Sequence, residues 1–211
     1  MRTRGLRSVG LTMIEMAITA TITAIALAAV LASTNRAYGT WRATVAQTEL
    51  DRQVALALDR IVAQLADAGS STIADALAAP DGGSSITFRR REGYSGSAVT
   101  WSETTTITQQ ADPADPANGL DDDGDGTIDE GEVVLDVTGS TPVVLVRNVA
   151  AFLDGETDDD TDENGNGLVD ETGLSFERVG SRVIVRLTLT RLDADGQRVT
   201  RSGESSVRIY D

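Results

Sequence analysis

Hydrophobic positions are arranged in three ways along this chain. Over residues 10–32 they are nearly continuous (GLTMIEMAITATITAIALAAVLA), interrupted by one acid, Glu15. Further on they thin to a single face: Trp41, Val45, Val54, Leu58, Ile61, Leu65 and Ala68 recur at helical spacing. Arg42, Glu49, Asp51, Arg52, Arg60 and Asp67 occupy the other side. No proline falls between Thr34 and Pro80, and Gly69-Ser-Ser is a stop signal. The pattern predicts one helix over about 11–68, with a bend possible at Gly39; the helical rise would make it about 85 Å long. Heptads are not sustained past the apolar run, which argues against a free coiled-coil stalk.

After residues 70–83, read as a linker with a short helix over 73–79 and a Pro80-Asp-Gly-Gly turn, the period drops to two. Strands are expected over 86–89, 98–101, 104–109, 132–137, 142–149 and 182–192, and over 197–210 as one strand or a pair. The clearest is RVIVRLTLTRL, where Val183, Val185, Leu187 and Leu189 alternate with Arg182, Ile184, Arg186 and Thr188. Gly139-Ser140 and Asp195-Gly196 supply turns. A helix followed by a meander is an α+β arrangement.

Composition narrows the chemistry. At 211 residues the chain suits one modest globular domain plus an anchor. It has no cysteine and no histidine, so thiol chemistry, disulfides and the commonest general base are excluded. All 18 basic residues are arginine, which also excludes a serine–lysine mechanism. The net charge of −15 is uneven: residues 112–171 hold 19 of the 33 acids and one arginine, Arg147. Such a field repels nucleic acid and anionic lipid and attracts divalent cations. The acids cluster at metal-loop spacing and not as a glycosidase-like carboxylate pair, so no enzymatic activity is expected.

The first apolar run is long enough to cross a membrane, where roughly 20 helical residues are needed. Arg2, Arg4 and Arg7 precede it and only Arg36 and Arg42 follow closely. That bias orients the N-terminus to the cytoplasm. A cleaved signal peptide with a small-residue site near Ala32 is the rival, but its apolar core would be shorter. Glu15 also counts against it, because a carboxylate within a bilayer is retained for a reason.

Basic residues, Gly10, the hydrophobic Leu11 and then Glu15 at the opening of an apolar helix resemble the prepilin signature of type IV pilins and type II secretion pseudopilins. The family usually has Phe where this chain has Leu11. The resemblance implies cleavage after Gly10 by a prepilin peptidase and N-methylation of Leu11. It makes Glu15 the neighbour of a new amine in an adjacent subunit. It also implies a pilin-like fold: a long N-terminal helix, membrane-spanning in its first half, packed on an antiparallel β-sheet. The organisation becomes a leader (1–10), a transmembrane or filament-core helix (11–33), its amphipathic continuation (34–69) and a periplasmic head (70–211). Length and the QVALALDRIVAQLADAG segment are similar to J-type minor pseudopilins and PilW-like minor pilins. The implied location is the inner membrane, then a pilus or pseudopilus, and the implied partners are the peptidase, other pilins and the membrane, with no nucleic acid. A non-polymerising, membrane-anchored calcium-binding or adhesive protein is the alternative.

Two acidic stretches carry the remaining chemistry. Residues 121–132 (DDDGDGTIDEGE) fit the twelve-residue calcium-loop template: Asp121, Asp123 and Asp125 at positions 1, 3 and 5, Gly126 at 6, the Thr127 carbonyl at 7, Asp129 at 9 and Glu132 at 12. A second copy starts 41 residues later, with Asp162, Asn164, Asn166, Gly167, the Leu168 carbonyl and Asp170 in register. Its twelfth position is Gly173, so Glu171 or one of Asp158 to Asp160 would have to substitute, and weaker binding is expected. Pro113 and Pro116 precede the first loop and a strand-like run follows it. We therefore expect calcium loops inserted between strands, without the flanking helices of an EF-hand. Ca²⁺ would act structurally, by binding only the folded state.

Overall fold

The computed structural model describes residues 12–73, 77, 83–116, 118–124, 127–193 and 195–210. The chain falls into two compact units, residues 1–44 and 45–211, and helix α1 (Met13–Leu65) contributes to each.

Within the first unit the helix is exposed throughout its apolar run, including Met13, Ile14, Ile22, Ile25 and Leu31. Its threonine hydroxyls are satisfied within the helix although the side chains are exposed. Thr19, Thr21, Thr23 and Thr34 each donate the hydroxyl to the carbonyl four residues back, at 2.8–2.9 Å. Threonine satisfied in this way can lie in an apolar medium without an orphaned donor. α1 is long and apolar enough to cross a membrane.

Within the second unit α1 buries Leu50, Val54, Ala57, Leu58, Ile61 and Leu65, one stripe at three- and four-residue spacing. The stripe begins later than its pattern suggests: Trp41 and Val45 are 59 % and 48 % exposed. A 3₁₀ turn at Ser70–Thr72 follows the helix. Most of the expected 73–79 helix and the Pro80 turn lie outside the described residues; Ile73 and Leu77, the described residues of that helix, are buried.

Among the described residues nine strands follow, all pairing antiparallel: β1 (Ser85–Phe88), β2 (Arg91–Ser95), β3 (Ala98–Trp101), β4 (Thr105–Ala111), β5 (Gly131–Val137), β6 (Val143–Val149), β7 (Leu174–Val179), β8 (Arg182–Leu192) and β9 (Arg198–Arg208). Seven form one sheet in the order β1-β4-β5-β6-β8-β7, with β9 on the other edge of β8; β2 and β3 form a separate hairpin. The architecture is α+β, as the sequence pattern implies. β8 is the hub, because β9 pairs with it along its full length while β7 and β6 share its opposite edge. β7 takes Arg182–Leu187, and β6 meets β8 at the single pair Val149↔Leu189.

The core joins the α1 stripe to Ile86, Phe88, Ile107, Val133, Phe176, Val185, Leu187 and their neighbours. Each large side chain taken fully out of water contributes about 2 kcal/mol. Helix and sheet approach closely at β9. A Cβ on Gly203 would stand 2.6 Å from Val54 Cγ1 and 3.0 Å from Leu58 Cδ1, so only glycine lets the backbones approach this closely. An Arg201–Asp51 ion pair (3.2 Å) and a hydrogen bond from Arg60 to the Leu145 carbonyl (3.1 Å) flank that contact.

Both acidic segments connect strands, as expected. The first joins β4 to β5, the second β6 to β7. Because Gly131 pairs with both Ala111 and Val149, the two loops leave the same end of the sheet.

Candidate functional site

At the start of α1, Thr12 and Glu15 form a reciprocal cap. The Thr12 amide and hydroxyl donate to Glu15 Oε2 at 2.9 and 3.0 Å, and the Glu15 amide donates to Thr12 Oγ1 at 3.3 Å. A Thr-x-x-Glu box of this kind satisfies amides that an α-helix leaves open at its N-terminus. Gly10 and Leu11 lie outside the described residues. Where the apolar run ends, Tyr38 and Trp41 stack at 5.7 Å between ring centroids, and the Arg42 guanidinium lies 4.5 Å from the Tyr38 centroid. Aromatic and basic residues so placed suit the boundary between hydrocarbon and water.

The two acidic loops repeat each other further than their template positions. Each is closed at its neck by the same backbone bond, Asp112 N–H to Glu130 O in the first and Leu153 N–H to Glu171 O in the second. Asp129 takes the amides of Asn118 and Gly119 at 2.8–3.0 Å; Asp170 takes those of Asp159 and Asp160 at 3.1–3.2 Å. Asp121 accepts from Gly124 and Asp162 from Gly165. Asp129 and Asp170 both have positive φ, 56° and 51°. The offset is 41 residues at every step, and it relates Asp115 to Glu156 and Glu130 to Glu171. All four of these acids are buried, although Asp115 and Glu156 lie upstream of the twelve-residue template and Glu130 and Glu171 stand at its tenth position, which is not a ligand position.

Electrostatically the loops differ. Beside the first, Arg147 reaches across from β6 to a close contact with Asp112 and stands 3.4 Å from Glu132. The Asp112 carboxylate, helped by Glu132 and Asp123, holds the guanidinium more firmly charged than usual. Glu132, on β5, also accepts from Gln110 Nε2 at 2.9 Å. Among the described residues no arginine makes an ion pair with Glu156 or Glu171 beside the second loop. Burial pushes the Glu156 carboxyl above the usual carboxylate range; the Asn164 amide opposes the shift, and Glu171, Glu163 and Asp162 reinforce it. The Thr161 hydroxyl beside Asp159 lowers that carboxyl.

The two loops offer calcium different donor sets. In the first loop Thr127 is buried, Asp121 accepts from the Gly124 amide, Asp125 and Gly126 lie outside the described residues, and the acids at positions 9 and 12 are engaged by loop amides and by Arg147 and Gln110. In the second loop Glu156 Oε2 and Glu171 Oε2 are buried without a hydrogen-bond partner, which suits a cation. Gly173 explains why its twelfth position carries no acid: a Cβ there would sit 1.9 Å from the Ala150 carbonyl oxygen. Among the described residues no three acidic side chains already stand together as a metal site. Glu156, Asp115 and Arg147 escape sequence reading because the template ends inside the loop. The 41-residue offset, extended upstream, would have found the first two.

The chain matches no protein-family model, no curated protein and no solved structure.

Proposed function

We propose that this chain is the precursor of a filament subunit of the type IV pilin class, a minor pilin or minor pseudopilin of the J-type or PilW-like kind. It is cut after Gly10, methylated on Leu11 by a prepilin peptidase, and held in the inner membrane with its head in the periplasm. From there it enters a pilus or type II secretion pseudopilus. Its role is structural and not enzymatic, and calcium steadies the acidic loops of the head. The observation that carries this reading is one helix with two characters. Its first half, opened by Glu15 after a basic lead, leaves every large apolar side chain uncovered, while its second half buries a stripe against an antiparallel sheet. An uncovered apolar helix needs lipid or neighbouring helices. The Tyr38–Trp41–Arg42 group supports a water boundary at the end of that run.

One observation favours the second reading, a non-polymerising anchored calcium-binding protein: Glu15 already has a local task in capping Thr12. Processing separates the two. In cells that contain a prepilin peptidase, Gly10→Val should leave full-length protein in the membrane while the wild type is shortened. Equal mobility of the two on a gel would count against the filament reading.

A further inference from the structure

We propose that the second acidic loop is a hard divalent-cation site whose anionic ligands are Glu156 and Glu171, the first of which lies outside the twelve-residue template. This rests on the calcium reading above and assigns the ligands that complete its less regular copy.

The two carboxylates are 6 % and 3 % exposed and reach the same short stretch of loop. Glu156 Oε1 accepts from the Asn164 amide at 3.0 Å, and Glu171 Oε1 accepts from Asn166 Nδ2 at 2.5 Å. The second oxygen of each is buried and has no hydrogen-bond partner. Two buried carboxylates facing one loop, with no arginine in ion-pair contact among the described residues, leave negative charge that the fold itself does not balance. Arg147 balances Asp112 and Glu132 beside the first loop, positions that correspond to Leu153 and Gly173 in the second, so it has no equivalent role at Glu156 and Glu171. A cation would balance that pair.

The available donors select the ion class. Asn164 and Asn166 offer amide oxygens and Leu168 a backbone carbonyl, so the set is all oxygen with at least two negative charges, as Ca²⁺ prefers over thiophilic or imidazole-seeking metals. Asp162 shapes the turn by accepting the amides of Gly165, Asn166 and Gly167, as Asn164 and Asn166 accept those of Asn166 and Leu168; the Asp162 carboxylate and both amide oxygens each keep a lone pair for a cation. Gly173 cannot supply the missing acid, and Glu171, two residues earlier, supplies it.

The test is calcium titration calorimetry on the full chain in detergent, paired with melting in EDTA and in calcium. Glu156→Gln and Glu171→Gln should each weaken one calcium site at least tenfold. Each should raise the melting temperature in EDTA, where the unbalanced charge is removed, and lower the gain that calcium gives. Glu92→Gln, at an exposed position of β2 away from the loop, should behave as wild type. Wild-type affinity in both site variants would overturn the assignment and leave calcium at the first loop intact. No calcium binding by the wild-type chain would overturn the assignment and the calcium reading together, without touching the filament reading.

Discussion

Glu15 shows how a single side chain can hold two explanations that a substitution separates. Its carboxylate caps Thr12, and a glutamine at that place can cap equally well. Under the filament reading the charge itself matters, because a buried amine on the neighbouring subunit needs a counter-ion. Glu15→Gln should therefore keep membrane insertion and processing but lower the recovery of sheared filaments severalfold. Wild-type recovery would reduce the acid to a helix cap. Other residues are legible only from packing. Gly203 reads as an ordinary strand glycine, yet Gly203→Ala should destabilise the head by about 1–3 kcal/mol through overlap with Val54 and Leu58, measured by denaturant melting. Arg147 stands out in the sequence as the one cation in an acidic field, but its partners come from the end of β4 and from β5, far apart in the chain. Arg147→Met leaves two buried carboxylates without their cation. Because the guanidinium is half exposed, the expected loss is about 1–3 kcal/mol.

At the level of elements, periodicity served well where one face is buried and poorly elsewhere. The helix was legible to within a few residues, since about fifteen turns of unbroken pattern would be hard to mistake; even so, its apolar stripe starts at Leu50 and not at Trp41. β8 alternates because one face meets the core, and its long pairing with β9 made both strands plain. β2 was missed because REGYS is polar, mostly exposed and paired only with β3. β7 was missed for a different reason: Leu174 and Phe176 do alternate, but they follow an acidic loop so closely that the loop hides the strand's start. The α1–sheet contact is the element-scale claim most open to measurement. Ile61 is fully buried at its centre, and Ile61→Ala should destabilise the head by about 2–5 kcal/mol. The equally apolar Ile22→Ala should leave melting of the head unchanged, since Ile22 is exposed.

Taken whole, the molecule joins an uncovered apolar helix segment to a strongly acidic head, and the net charge of −15 is concentrated where the two loops leave one end of the sheet. The fold class was readable from the order of patterns, helix first and strands after. The loops were readable as a repeat, but their charge balance was not, because it depends on which strand brings an arginine across. Under the filament reading, assembly depends on one covalent event, the cut after Gly10. The most direct measurement is mass spectrometry of the N-terminal peptide of the membrane-extracted protein. The account predicts a chain that begins at Leu11 with a methylated amine; a chain that begins at Met1, or near Ala32, contradicts it.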